Sequence, residues 1–121
     1  LEESYISGDL AHCIDTDVAF HQTIAEASHN VLIGHLTASL MRVIHGHVSK
    51  NLEHLHARPQ RWNQLRAQHN AIWQAIREHK PQEAALAASA HIEFVRQGIE
   101  DKAREEERRS SAQRRLGETT P

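Results

Sequence analysis

The stretch VLIGHLTASLMRVIHGHVSKNLEHLH, residues 31–56, decides the fold because it has the apolar spacing of a long amphipathic helix. Its apolar residues recur at steps of three and four, which places them on one helical face. They are Leu32, Leu36, Leu40, Val43, Ile44, Val48, Leu52 and Leu55. Asn30 before the stretch is expected either to cap the helix or to take a left-handed conformation. Ala57-Arg58-Pro59 is expected to end it.

Three further helical segments flank this one. The first is predicted from about Asp9 to Ser28, either continuous or broken near Asp15, and the third from about Gln60 to His79. The fourth begins at Pro81, a residue suited to a first helical turn. The predicted inward residues of the third segment are Trp62, Leu65, Ile72, Trp73 and Ile76. No segment shows the alternation of a strand. The sequence therefore predicts an all-α, antiparallel helical bundle.

Composition limits the protein classes that fit. With 121 residues the chain is long enough for one domain. A net charge of −2, from 14 basic and 16 acidic residues, argues against a nucleic-acid-binding surface on this part of the protein. One cysteine, Cys13, excludes an internal disulfide and fits a reducing cytoplasm. No apolar run approaches the length of a membrane span.

The ends of the chain suggest its organisation. The opening LEESYISGDL lacks Met and reads as the inside of a helix, so the bundle is expected to be incomplete at its N-terminus. Residues 1–100 are predicted to form the helical domain. Residues 101–121 are predicted to be a charged helical extension followed by a disordered tail, GETTP, because apolar residues become scarce there.

Four polar residues interrupt the apolar stripes and are the candidate functional residues. Asp17 and His21 form a D-x-x-x-H pair, and residues four apart on a helix share a face. His69 and His91 lie on the stripes of the third and fourth helices. Imidazole and carboxylate groups are ordinary ligands for first-row metals. By spacing alone, the alternative stays open that each histidine is a core residue bonded to a backbone carbonyl, with Asp17 exposed or capping.

Two separated motifs resemble one known family. D-x-x-F-H-x-x-I-A-x-A-S-x-N, residues 17–30, is similar to the effector-binding domain of GntR-type, FadR-class bacterial transcription regulators. So is H-x-x-I-x-x-A-I, residues 69–76, followed by A-x-x-x-x-x-x-H, residues 84–91. The motifs occur in the family's order, and the resemblance covers nearly the whole chain. Residues 50–55 and 103–116 look most like the branch of the pyruvate dehydrogenase repressor and the lactate-utilisation regulator.

The resemblance implies an all-helical domain, called FCD, that binds a divalent transition metal through Asp17, His21, His69 and His91. Zinc is the first expectation, with nickel, manganese or iron as alternatives. A small carboxylate, pyruvate or lactate by the branch resemblance, would complete the coordination. The regulator would be a homodimer that binds operator DNA only through an N-terminal winged-helix domain missing from this chain.

The chain departs from the family pattern in two ways. The family's first effector-domain helices, which often supply an arginine to the effector carboxylate, are expected to be absent from this stretch of sequence, and Lys80 stands where an acidic residue is common. Neither departure removes a metal ligand.

Two other functions stay open beside this expectation of a regulator without enzymatic activity. A metal-dependent hydrolase would need a general base, for which Glu26 is the nearest candidate. A purely structural dimerisation bundle would use its histidines only for hydrogen bonds. His45 and His47 are possible further effector contacts. The remaining histidines are expected at the surface or in turns: His12, His29, His35, His54, His56 and His79.

Overall fold

A computed structural model describes residues 1–117 as five α-helices, with no strand among those residues. The helices are α1 (Glu2–Ser7), α2 (Leu10–Ala27), α3 (Val31–His56), α4 (Pro59–Arg77) and α5 (Pro81–Gly117). The predicted all-α class is confirmed. The chain forms two compact units, which divide after Asn70 within α4.

Local capping sets the helix boundaries. The Asn30 side chain accepts hydrogen bonds from the backbone N–H groups two and three residues later, at 3.1 and 3.2 Å. These bonds satisfy donors that the first turn of a helix leaves unpaired. Asn30 therefore caps α3, and His29, with φ 53°, takes the left-handed conformation. Asp9 caps α2 in the same way, and α2 runs through Asp15 without a break.

The first unit is built on the hairpin of α2 and α3, which pack against each other, with α1 packed on α2. Its most deeply buried apolar side chains are those of Cys13, Leu55 and Leu65, each 1% exposed. Cys13 is a free thiol in this core, as a small apolar residue would be.

The first half of α3 packs differently from its second half. Leu52 and Leu55 are buried near its C-terminal end, but four apolar residues of the same stripe are 54–79% exposed: Leu32, Leu36, Leu40 and Val43. The half-buried positions there carry mainly small residues, Gly34, Thr37 and Ala38. Small residues allow α2 and α3 to approach closely after their tight turn, and the larger side chains lie on the other faces.

The second unit comprises the end of α4 and α5. Ile72 and Phe94 are buried in it, whereas Trp73 and Ile76 are 50% and 43% exposed, so the prediction that both lie inward was wrong. Buried positions on α4 advance by three residues, from His69 to Ile72 and on to Ala75. Each such step falls about 60° short of a full turn, so the buried face moves away from Trp73 and Ile76.

The charged extension is helical as far as it is described, because α5 continues to Gly117. Basic and acidic side chains are mixed along it, with Arg104 and Lys102 each 3.9 Å from a glutamate four residues away. Gly117, the first residue of the predicted disordered GETTP, is the last residue of α5, and the other four lie outside the described residues. Among the helices described, none is long and apolar enough to cross a membrane.

Candidate metal centre

Asp17 and His21 lie one turn apart on α2 and share its inward face. Asp17 is a buried carboxylate, 7% exposed, and His21 is half-buried. A buried carboxylate is costly unless a charge or hydrogen-bond donor satisfies it. The alternative in which Asp17 is exposed or caps a helix is therefore wrong.

His69, on α4, meets this pair in the first unit. It is 2% exposed, and its Nε2 lies 3.2 Å from Oδ1 of Asp17. The His21 and His69 rings are 5.4 Å apart, and each offers a nitrogen within 4.8 Å of the other. Phe20 packs its edge against both rings, at 5.3 and 5.2 Å, and supplies an apolar wall. Asp17 and His21 thus each lie beside His69, so three of the four predicted ligands, on two helices, form one cluster.

The charge state of His21 suits a metal ligand. Burial has the largest effect and lowers the pKa of His21 below the ordinary 6.5. The Asp17 carboxylate acts in the opposite direction and His69 in the same direction as burial, so the pKa stays lowered. His21 is therefore neutral at pH 7. Neutral imidazole, with a free lone pair, is the form that binds a metal without first losing a proton.

Tyr5, on α1, is a buried partner of this cluster that the sequence analysis did not identify. Its hydroxyl lies 2.9 Å from Nδ1 of His69, and its ring stacks at a tilt on Trp62 with centroids 4.9 Å apart. Burial raises the pKa of Tyr5 well above its usual 10, so the hydroxyl keeps its proton. No local spacing relates Tyr5 to His69, because 64 residues separate them.

The short helix α1 is fixed to both helices that carry the cluster. Ser4 is fully buried, and its hydroxyl lies 2.9 Å from that of Thr16 on α2. On the other side, Arg66 of α4 donates from two nitrogens to the Glu2 carboxylate, and Asn70 donates to the same group at 3.1 Å. These contacts place Tyr5 against His69.

The Glu2 contact predicts a pH-dependent contribution to stability. Hydrogen bonds from Arg66 lower the pKa of Glu2 below its ordinary 4.5, so folding favours the ionised carboxylate. The stabilisation should be complete above pH 4.5 and lost as the pH falls through the folded-state pKa. Thermal unfolding should therefore show Glu2→Gln less stable than the native chain at pH 7, with the difference shrinking in acid. Glu3→Gln, an exposed neighbour, should show no such difference, and a gap that persisted in acid would contradict the assignment.

The structure places the other predicted residues as follows. His91 is buried on α5 in the second unit, 3% exposed. His45 and His47 are both exposed on α3, and an effector-binding role for them stays a prediction. Glu26, the candidate base of the hydrolase alternative, is exposed and accepts a hydrogen bond from Gln22 at 2.9 Å.

Five of the six histidines expected at the surface are exposed. Those exposed are His12, His29, His35, His56 and His79, whereas His54 is half-buried beside Arg58. They therefore differ in burial from His69 and His91.

The residues of the cluster fit a divalent first-row metal. Such ions take imidazole nitrogen and carboxylate oxygen at about 2.0–2.2 Å, so two ligands of one ion lie roughly 3–4 Å apart. The 3.2 Å between Asp17 Oδ1 and His69 Nε2 agrees with that spacing. A cation between them would also compensate the buried carboxylate.

Comparison with known proteins gives one family and several regulators. The sequence profile of the FCD domain matches residues 1–94. The chain is 33% identical over 85 residues to the Glc operon transcriptional activator of Escherichia coli K12, covering 70% of the chain and 34% of that protein. It is 32% identical over 93 residues to the putative L-lactate dehydrogenase operon regulatory protein of E. coli K12, covering 77% and 36%. The chain thus spans about a third of the length of the curated relatives it matches. No solved structure matches it.

Proposed function

The chain belongs to the FCD domain family of GntR-type, FadR-class transcription regulators, and on that premise we propose that it binds a divalent metal and a small carboxylate effector. The observation that carries the proposal is the buried cluster of Asp17, His21 and His69. It places one carboxylate oxygen 3.2 Å from a nitrogen of His69, and a nitrogen of His21 within 4.8 Å of a nitrogen of His69.

The proposed metal ligands are Asp17, His21 and His69, with His91 as the fourth. His91 enters through the second family motif, and it is a buried residue on an apolar stripe of α5. Zinc is the first candidate, and nickel, manganese and iron suit the same donors.

The proposed effector is a 2-hydroxy or 2-keto acid. A divalent ion held by these residues would supply positive charge to an incoming carboxylate and its adjacent oxygen. One relative is named for a lactate dehydrogenase operon, which supports lactate or the related pyruvate as the acid. Discrimination among acids would come from the apolar wall that Phe20 begins.

The whole regulator is proposed to work as a cytoplasmic homodimer. Operator DNA would be bound by a winged-helix domain outside this chain, and effector binding here would alter how two such domains are held. The relatives are transcription regulators, and the exposed Glu26 is poorly placed to act as a general base. Regulation is therefore favoured over hydrolysis.

The effector proposal is tested by thermal unfolding of metal-loaded and chelator-treated protein with added acids. Lactate or pyruvate should raise the midpoint of the metal-loaded form and leave the metal-free form unchanged, because ligands stabilise the state that binds them. Propionate, which lacks the 2-oxygen of lactate, is the matched control and should shift the midpoint much less. Equal shifts with propionate would rule out two-point coordination, and equal shifts without metal would place the acid elsewhere.

A further inference from the structure

Tyr5 and His69 form a buried hydrogen bond between α1 and α4. The Tyr5 hydroxyl lies 2.9 Å from His69 Nδ1, and the two residues are 7% and 2% exposed. Tyr5 cannot easily turn away, because its ring packs on Trp62, whose other neighbour is His56 at 4.9 Å. The hydrogen bond between Ser4 and Thr16, and the one that Glu2 accepts from Arg66, hold the rest of α1 in place.

The two nitrogens of His69 have different surroundings. Nε2 faces the Asp17 carboxylate at 3.2 Å, and Nδ1 faces the Tyr5 hydroxyl. A neutral imidazole carries one N–H and one lone pair, and the partners decide which nitrogen carries the proton. In the tautomer that carries the ring proton on Nε2, the nitrogen beside Asp17, Nδ1 accepts a hydrogen bond from Tyr5.

With a metal held at Nε2, His69 would have no proton on that nitrogen, and its ring proton would lie on Nδ1. Nδ1 must now donate, and its partner must accept. A tyrosine hydroxyl has both a proton and lone pairs, so Tyr5 can fill either role without moving. A carboxylate or carbonyl at this position would satisfy only the loaded tautomer.

We propose that Tyr5 is a positioning residue for the metal ligand His69, whose hydroxyl donates to Nδ1 in the empty site and accepts from it in the loaded one. The inference rests on the proposed function, since it requires metal at the Asp17–His69 pair. Its consequence is that His69 Nδ1 keeps a hydrogen-bond partner in both the empty and the loaded site. The partner of a ligating histidine's second nitrogen commonly orients the ring and tunes its affinity.

The first test is metal affinity. Tyr5→Phe keeps the ring against Trp62 and removes only the hydroxyl. It should weaken zinc binding roughly 10–100-fold, the range typical of removing such a partner, as measured by competition with a chromophoric chelator. Trp62→Phe is the control, since it alters the packing around Tyr5 and leaves the hydrogen bond. It should bind zinc nearly as tightly as the native chain.

The second test reads the direction of the hydrogen bond without a mutation. Tyr5 is the only tyrosine of the chain, so the tyrosine doublet in the Raman spectrum reports on this hydroxyl alone. The doublet should show a donating hydroxyl in chelator-treated protein and an accepting one after zinc is added. Because it uses the native protein, this measurement also tests the role of the Tyr5 hydroxyl if Tyr5→Phe fails to fold.

The outcomes separate the two proposals. The role of Tyr5 would be overturned if the native protein binds zinc and Tyr5→Phe binds it equally tightly. It would also be overturned if the tyrosine doublet of the native protein does not change when zinc is added. Either result would leave the proposed metal site unaffected. If Trp62→Phe weakened zinc binding as much as Tyr5→Phe, Tyr5 would act only through packing and not through its hydroxyl. Native protein that binds none of zinc, nickel, manganese or iron would overturn both.

Discussion

His69→Ala should abolish tight metal binding and the stabilisation that metal confers. The substitution removes the central group of the cluster, whose two nitrogens face Asp17 and Tyr5. A metal present at 100 times its dissociation constant stabilises the native state by about 2.7 kcal/mol. That increment should appear in the native chain on adding zinc and be absent in the variant. Elemental analysis after dialysis should find metal only in the native chain.

The matched control is His12→Ala, on the exposed side of α2 in the same unit. It removes an imidazole of the same chemistry outside the cluster and should retain both bound metal and the zinc-dependent shift. If His69→Ala kept its metal, or if both variants lost it alike, the assignment of the site to this cluster would fail. His91→Ala extends the test to the ligand that rests on the sequence motif, and it too should lose tight binding.

The helices and the spacing of Asp17 and His21 could be predicted from sequence because both are local properties. A capping side chain acts on backbone groups two or three residues away, so Asn30 marks the start of α3 in the sequence itself. The D-x-x-x-H pair shares a face for the same reason, since any regular helix brings residues four apart together. The predicted meeting of this pair with His69 needed the family resemblance as well, because helical spacing does not say which helices adjoin.

The partners of the cluster could not be predicted, since they depend on contacts between distant segments. Tyr5 approaches His69 across 64 residues of sequence, and Glu2 reaches Asn70 across 68. In the sequence, Tyr5 is one aromatic residue in a short polar stretch, and only the attachment of α1 to α2 and α4 gives it a role. The prediction that Ile76 is buried was wrong for a related reason. Periodicity defines an apolar stripe on a helix, but it does not say where the neighbouring helix stops covering that stripe.

The exposed apolar stripe on α3 also shows that sequence periodicity does not predict how much a side chain contributes to stability. Leu36 and Leu65 are chemically identical and both lie on apolar stripes, yet they are 61% and 1% exposed. Burial of apolar area, and not membership of a stripe, determines what a side chain contributes to folding. The pair therefore offers a comparison in which side-chain chemistry is held constant and only burial differs.

Leu65→Ala should lower the free energy of unfolding by about 2–5 kcal/mol, the usual cost of a cavity at a fully buried leucine. Leu65 lies one turn before His69 on α4, so the cavity would also loosen the support of the histidine and weaken zinc binding. Leu36→Ala should change stability by less than about 0.5 kcal/mol, as surface substitutions usually do. Urea denaturation with and without zinc measures both effects. Equal losses in the two variants would mean that the α3 stripe is covered in solution, and a stable Leu65→Ala would contradict the core described for the first unit.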